Sequence, residues 1–331
     1  MPHYNSVEMC ALCEAHTRLR PHNNFHADAA WRSTLVSNAR FRERLRRPLH
    51  PLVDHCLFSK YTYRFDLLHM LDHHGVASHV VGNILWAHLA ADRDCNVLPG
   101  DNQDERLAFL NSEVKAFYSH AKVTNRMPPL KLSNLKSDAF PELKGNGVKA
   151  ANTRALVPFV VDIQKRATNM NPSERNKHML KVVSSLQTAY DIMYGNGFFL
   201  SDGALTSLDK ALTRMGQHYQ WLALNAFDAK KSRWNCVPKL HYAAAHISEQ
   251  AALINPRLVQ GYANESMVGV VCSIYELSQS GPFRARVQHV SMLKYRIGVH
   301  LIWNYKNNHY LLLYDCARTH THTTTTLQIE G

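Results

Sequence analysis

Between Tyr61 and Trp86 the apolar residues change their period, and that change limits the folds open to this chain. Tyr61, Tyr63 and Phe65 alternate with Thr62, Arg64 and Asp66, the period of two of a half-buried strand. From there on Leu67, Leu68, Leu71, Val76, Val80, Ile84 and Leu85 recur at helical spacing, as expected of a helix with one buried face. Asp66 sits at the switch. A carboxylate there can cap the helix by accepting backbone N–H bonds, worth about 1 kcal/mol, or it can project from the strand end as a metal ligand. Local residue preferences favour the cap.

Composition narrows the class. With 331 residues, 45% of them hydrophobic, the chain has enough apolar material for a sizeable core. Lys and Arg exceed Asp and Glu by 38 to 26, a net charge of +12, which suits an anionic partner such as nucleic acid and equally suits a plain basic surface. Seven cysteines scattered over the chain are no secreted disulfide framework, and the N-terminus lacks a signal-peptide pattern. No apolar run approaches the roughly 20 residues that span a bilayer. An intracellular chain with no membrane role is expected.

Five segments follow from the pattern. Residues 1–60 hold a C-x2-C motif and a basic stretch, Arg40, Arg42, Arg44, Arg46 and Arg47, opposed only by Glu43. That stretch could grip phosphates or be a solvated helix face. Residues 61–123 contain the period switch and an amphipathic helix through Leu107, Leu110, Val114 and Tyr118. Proline and glycine interrupt the chain from Thr124 to Gly147, after which residues 124–233 read as a helical block. One helix is expected from Val148 to Met170, kinked or restarted at Pro158. A second follows the capping run Asn171-Pro172-Ser173-Glu174 and stops at Gly195-Asn196-Gly197, and a third opens at Ser201-Asp202. Residues 234–305 give the C-terminal helices, one with His241 and His246, one with Glu265 and a final amphipathic one from Arg284 to Trp303, and the Thr/His-rich residues 306–331 are expected to be a disordered tail.

Metal-ligating residues gather in two places. Cys10 and Cys13, with His16, His22 and His26 close behind, offer two thiolates on a tight turn and imidazoles to complete a tetrahedral Zn²⁺ site; Cys10, Cys13, His16 and His22 are the candidate set. A turn carrying unligated cysteines satisfies the same pattern, because a second C-x2-C is lacking. Further on, His69 and His73 stand at i, i+4 spacing one turn after Asp66, which suggests a helical His/Asp phosphohydrolase site without a remote ligand. Lys239 and His241 could contact phosphate, while His241 and His246 could equally be satisfied core histidines.

The run from Asp66 to His79, D-L-L-H-x-x-D-x-x-G-V-x-x-H, resembles the block around the second catalytic Asp of cut-and-paste DDE transposases of the CACTA and KDZ type. Trp234 to His246 (WNCVPKLHYAAAH) resembles their late Pro-Lys-x-His block, and Asn264 to Val271 (NESMVGVV) resembles the helix bearing their last catalytic Glu. With the Cys10/Cys13 to Trp31 stretch, the likeness covers most of residues 10–303 in the same order. It implies a mainly α fold with a few strands, a truncated RNase H-like core carrying a large helical insertion. It also implies Asp66 and Glu265 as two of three carboxylates that would clamp Mg²⁺ or Mn²⁺ for DNA strand cleavage and transfer. The family's first Asp lies on a strand upstream of the C-x2-C block. Only nine residues precede Cys10, and Glu8, Glu14, Asp28, Glu43 and Asp54 lack strand context.

The expectation is therefore an N-terminally truncated, nuclear, DNA-associated transposase remnant, inactive alone, whose parent family can be homo-oligomeric. Two alternatives stand beside it: a basic helical module that binds DNA or protein without catalysis, and the metal-dependent phosphohydrolase. A binding module should be indifferent to Mg²⁺, whereas either enzyme should not.

Overall fold

The computed structural model describes residues 9–45, 59–90, 92, 95, 97–136 and 139–262. Its centre is the helix α2 (Val76–Leu89), preceded by α1 (Asn38–Glu43) and followed by α3 (Gln103–His120) and the single turn α4 (Leu132–Leu135). Three long helices come next, α5 (Ala150–Met170), α6 (Glu174–Gly195) and α7 (Asp202–Asp228), and then α8 (Pro238–Ala251). The described residues up to Gly261 form one compact, mainly helical unit. Among the described residues there is no strand, only an isolated bridge between His16 and Pro21.

The period-two run at 61–65 is not a ladder strand. Its backbone groups are answered by one side chain of α8: Phe65 N–H donates to Gln250 Oε1 at 3.0 Å, and Gln250 Nε2 donates to the Tyr63 carbonyl at 2.8 Å. A side-chain amide thus does for this extended stretch what a neighbouring strand would do. The alternation of aromatics is explained by packing, with Tyr63 edge-on to Phe65 and Phe65 against Tyr242.

Nor is the following helix continuous from Leu67. Leu68–Asp72 is a π-helical turn that ends at His73, His74 adopts φ 49°, and α2 begins only after Gly75. Gly75 permits the break, because a Cβ there would lie 2.5 Å from the Leu71 and Met70 backbone. Every residue of α2 except Trp86 is buried, so it is a helix enclosed on all sides rather than amphipathic. α3, α4, α5, α6, α8 and the π-turn all pack on it.

The helical block follows its caps. Ser173 accepts from Asn176 N–H at the start of α6 and Ser201 from Ala204 N–H at the start of α7. α5 passes through Pro158 without ending, and α6 ends at Gly195. The inward face of α7 is Leu208, Leu212, Met215, Tyr219 and Leu222, the stripe expected to be core. Residues of the Pro- and Gly-rich stretch are strapped onto α2: Leu143 N–H donates to the Ser78 carbonyl, and Gly82 faces the backbone of Glu142 and Leu143.

Candidate metal centre

Residues 9–45 carry only one short helix, so something other than regular structure must fix them. Part of it is apolar: Phe25, Trp31 and Phe41 are fully buried. The rest is a cluster of donors. The C-x2-C turn lies against α8, where Cys10 Sγ is 3.2 Å from His246 Nε2 and Cys13 Sγ is 3.3 Å from His241 Nε2. All four ligand atoms fall within 4.8 Å of one another, and all four residues are buried. Edges of a tetrahedron with ordinary Zn–S and Zn–N bonds measure about 3.4–3.8 Å, so the cluster can hold a metal ion such as Zn²⁺ with modest adjustment.

Surrounding groups aim the donors. His241 Nδ1–H donates to the His22 carbonyl at 3.0 Å and His246 Nδ1–H to Glu249 Oε2 at 3.3 Å, which leaves both Nε2 atoms directed at the thiols. Glu249 is itself held by Lys60 Nζ at 3.3 Å. The backbone N–H groups of Leu12 and Ala15 point at Cys10 Sγ and Cys13 Sγ, each at 3.4 Å, and help carry thiolate charge. Arg44 Nη1 bridges the carbonyls of Cys10 and Cys13, and Trp31 stands edge-on to His241 with ring centres 4.7 Å apart.

Electrostatics of the metal-free cluster fit that duty. Burial resists ionisation of Cys10, yet the hydrogen bond from Cys13 and the charge of His246 pull its thiol well below the ordinary range. Cys13 moves the opposite way, raised by its hydrogen bond to Cys10 and by burial. Burial opposes protonation of His246 too, but Cys10 and Glu249 lift it to about 9. A divalent cation bound there would displace protons from the cluster and leave each donor in its ligating form. Four protein donors would close a tetrahedron, the arrangement of a structural rather than a catalytic metal site.

The imidazoles facing the thiols are thus His241 and His246, not the nearby pair. His16 Nδ1 accepts from the backbone of Arg18 and Leu19, and His22 contributes its carbonyl. Sequence spacing pointed to histidines next to the cysteines, whereas the observed partners lie 228 and 236 residues away. The signal was available only as an incomplete ligand set at one end and a His-x4-His helix at the other.

Other candidates take varied places. Asp66 acts as a cap: Oδ1 accepts from Leu68 N–H at 3.0 Å and Gly261 N–H at 2.6 Å, while Oδ2 meets His69 Nδ1 at 2.6 Å. Among the described residues, Cys10, Cys13, His241 and His246 are the group of three or more donors able to hold a metal. His69 and His73 stand on the π-turn with ring centres 5.6 Å apart. Asp72 turns inward to Tyr190, with Arg154 at 3.7 Å. Lys239 Nζ donates to the carbonyls of His73 and His74, bracing the break before α2, and His241 is fully buried. Arg40 is exposed and paired with Glu43, while Arg42 is half-buried. Arg46, Arg47 and Glu265 lie outside the described residues, as do the last helices and the tail.

No helix of the described residues is long and apolar enough to cross a membrane. Comparison with protein-family models, curated proteins and solved structures finds no match to this chain.

Proposed function

We propose that this chain is part of a DDE-type transposase derived from a mobile element, pinned by a structural zinc ion and associating with DNA. One observation carries the proposal. The C-x2-C turn and the Pro-Lys-x-His block, two of the four stretches that resemble the family, meet in a single cluster although 228 residues separate Cys13 from His241. Independent motifs have no reason to do so. The chain also passes Asp66 at Gly261, four residues before Glu265 in sequence.

In the ancestral reaction Asp66 and Glu265 would be the second and third carboxylates around Mg²⁺ or Mn²⁺, within an RNase H-like core. The net charge of +12 favours the DNA partner, and a nucleus would be the place to meet it.

A labelled duplex, titrated with the purified chain at roughly 50 and 200 mM salt, tests this. The expected result is binding that weakens by about tenfold or more across that range. Absence of binding at the lower salt would overturn the DNA association. Nicking in Mg²⁺ or Mn²⁺ that Asp66→Ala leaves unchanged would overturn the ancestral role given to Asp66.

A further inference from the structure

On another face of the helical unit, the end of α7 and the segment leading into α8 enclose a cavity of about 260 Å³ lined by Asp92, Arg175, Asn225, Lys231, Arg233 and Trp234. Its charges do not balance. Asp92 Oδ2 accepts from Arg175 Nη2 at 2.5 Å and lies 3.4 Å from Arg233 Nη2, so one carboxylate serves two guanidiniums while Lys231 stands on the same wall. The Arg233 side chain is only 10% exposed, and its Nη1 is buried with no hydrogen-bond partner. A guanidinium keeps its charge and its five donors wherever it sits. A buried, unanswered donor costs free energy that an incoming acceptor restores.

Nearby acceptors are already used. The carbonyls of Asn225 and Ala226, in the last turn of α7, take the N–H groups of Ala229 and Lys231. The wall therefore offers more donors than acceptors. A compact group with several charged oxygens is the complement to two guanidiniums and an ammonium.

The cavity shares Lys231, Arg233 and Trp234 with a broader groove of about 960 Å³ whose lining includes Phe140, Leu224, Phe227 and Lys230. Phe227, on the lining of that groove, is 79% exposed, so its ring face is open to a ligand. An aromatic face beside a cationic niche is the pairing used to hold a base and its phosphate.

We propose that Arg175, Lys231 and Arg233 form an oxyanion niche that takes the phosphate of a nucleotide unit, with the base on Phe227. The unit can belong to a single strand of nucleic acid or to a free nucleotide, since both offer the same phosphate and base. The niche uses neither Asp66 nor any of Cys10, Cys13, His241 and His246, and it stands whether or not the chain descends from a transposase.

The test uses the full zinc-loaded chain, with inorganic phosphate, adenosine monophosphate and a fluorescein-labelled oligothymidylate as probes. The expected result is that the oligonucleotide binds, that phosphate competes, and that Lys231→Ala and Arg233→Met each weaken binding about tenfold. Phe227→Ala should weaken the oligonucleotide while leaving phosphate protection intact. Binding of the monophosphate as tight as that of the oligonucleotide assigns the niche to free nucleotides; much weaker binding assigns it to a strand. Binding unchanged by Lys231→Ala and Arg233→Met, or no effect of any probe on the wild-type chain, would overturn the proposal. Lys231 is exposed, so its variant keeps the test decisive if Arg233→Met does not fold.

Discussion

At the scale of single residues, a few buried polar groups set the behaviour of the chain. His88, in the enclosed helix α2, donates Nδ1–H to the Cys95 carbonyl at 3.0 Å, and burial pushes its imidazole down to about 4. The unfolded chain, with an ordinary histidine near 6.5, binds that proton more readily than the folded one. Stability is therefore full above about pH 6.5 and falls as pH drops towards 4. At about 1.36 kcal/mol per pH unit, the loss is on the order of 3 kcal/mol. Melting temperatures of the wild type and His88→Gln, compared between pH 7 and pH 4 at saturating metal, check this. The variant should lose the part of the slope that His88 supplies, and parallel curves would contradict it.

Cys13 and His241 give a sharper expectation. Removing either donor leaves three ligands and one buried, mismatched partner. Cys13→Ser and His241→Ala should each cost about 10- to 100-fold or more in metal affinity. They should also lower the melting temperature more than the same changes at Cys236, which lies outside the cluster. Isothermal titration with Zn²⁺ measures the first effect and a thermal melt the second.

Among elements, the helices α5 to α7 were legible from their own signals: apolar stripes at helical spacing in α5 and α7, Ser173 and Ser201 as caps of α6 and α7, and Gly195 at the end of α6. Tyr61–Phe65 was misleading for the opposite reason. Alternating aromatics report two differently packed faces, and here those faces are set by Tyr242 and Gln250 of a distant helix rather than by sheet neighbours. The π-turn was invisible as well, since one extra residue in a turn leaves no mark on a short apolar pattern. A separate demand for glycine arises where the strap of residues 142 and 143 crosses α2. A Cβ on Gly82 would lie 2.6 Å from the Glu142 backbone, whereas one on Gly203 meets nothing within 4 Å. Gly82→Ala should thus cost about 1–3 kcal/mol or more in chemical denaturation. Gly203→Ala should be neutral or slightly stabilising. Equal effects would mean that the strap of residues 142 and 143 does not bear on α2.

For the molecule as a whole, the metal centre ties the least regular segment to the helical unit. The donors meet across more than 220 residues, so no local spacing could reveal the set; each half was visible alone, as two cysteines short of ligands and two histidines short of a purpose. This predicts a selective weakness. Chelation should release residues 9–45 before it melts the long helices, because α5, α6 and α7 are held by their own apolar contacts. Limited trypsin digestion with a strong zinc chelator should cut at Arg18 and Arg32 while residues 150–228 remain protected. Simultaneous loss of both regions would show that the unit is more cooperative than this.

Metal content is the most direct measurement. Elemental analysis of the purified chain, paired with the absorption spectrum of its Co²⁺-substituted form, should give one metal per chain and the thiolate-to-cobalt charge-transfer band of a site with two sulfur ligands. Both should vanish in the double variant Cys13→Ser, His241→Ala. A metal-free wild-type chain that keeps residues 9–45 protected, or a metal retained by the double variant, would contradict the centre formed by Cys10, Cys13, His241 and His246.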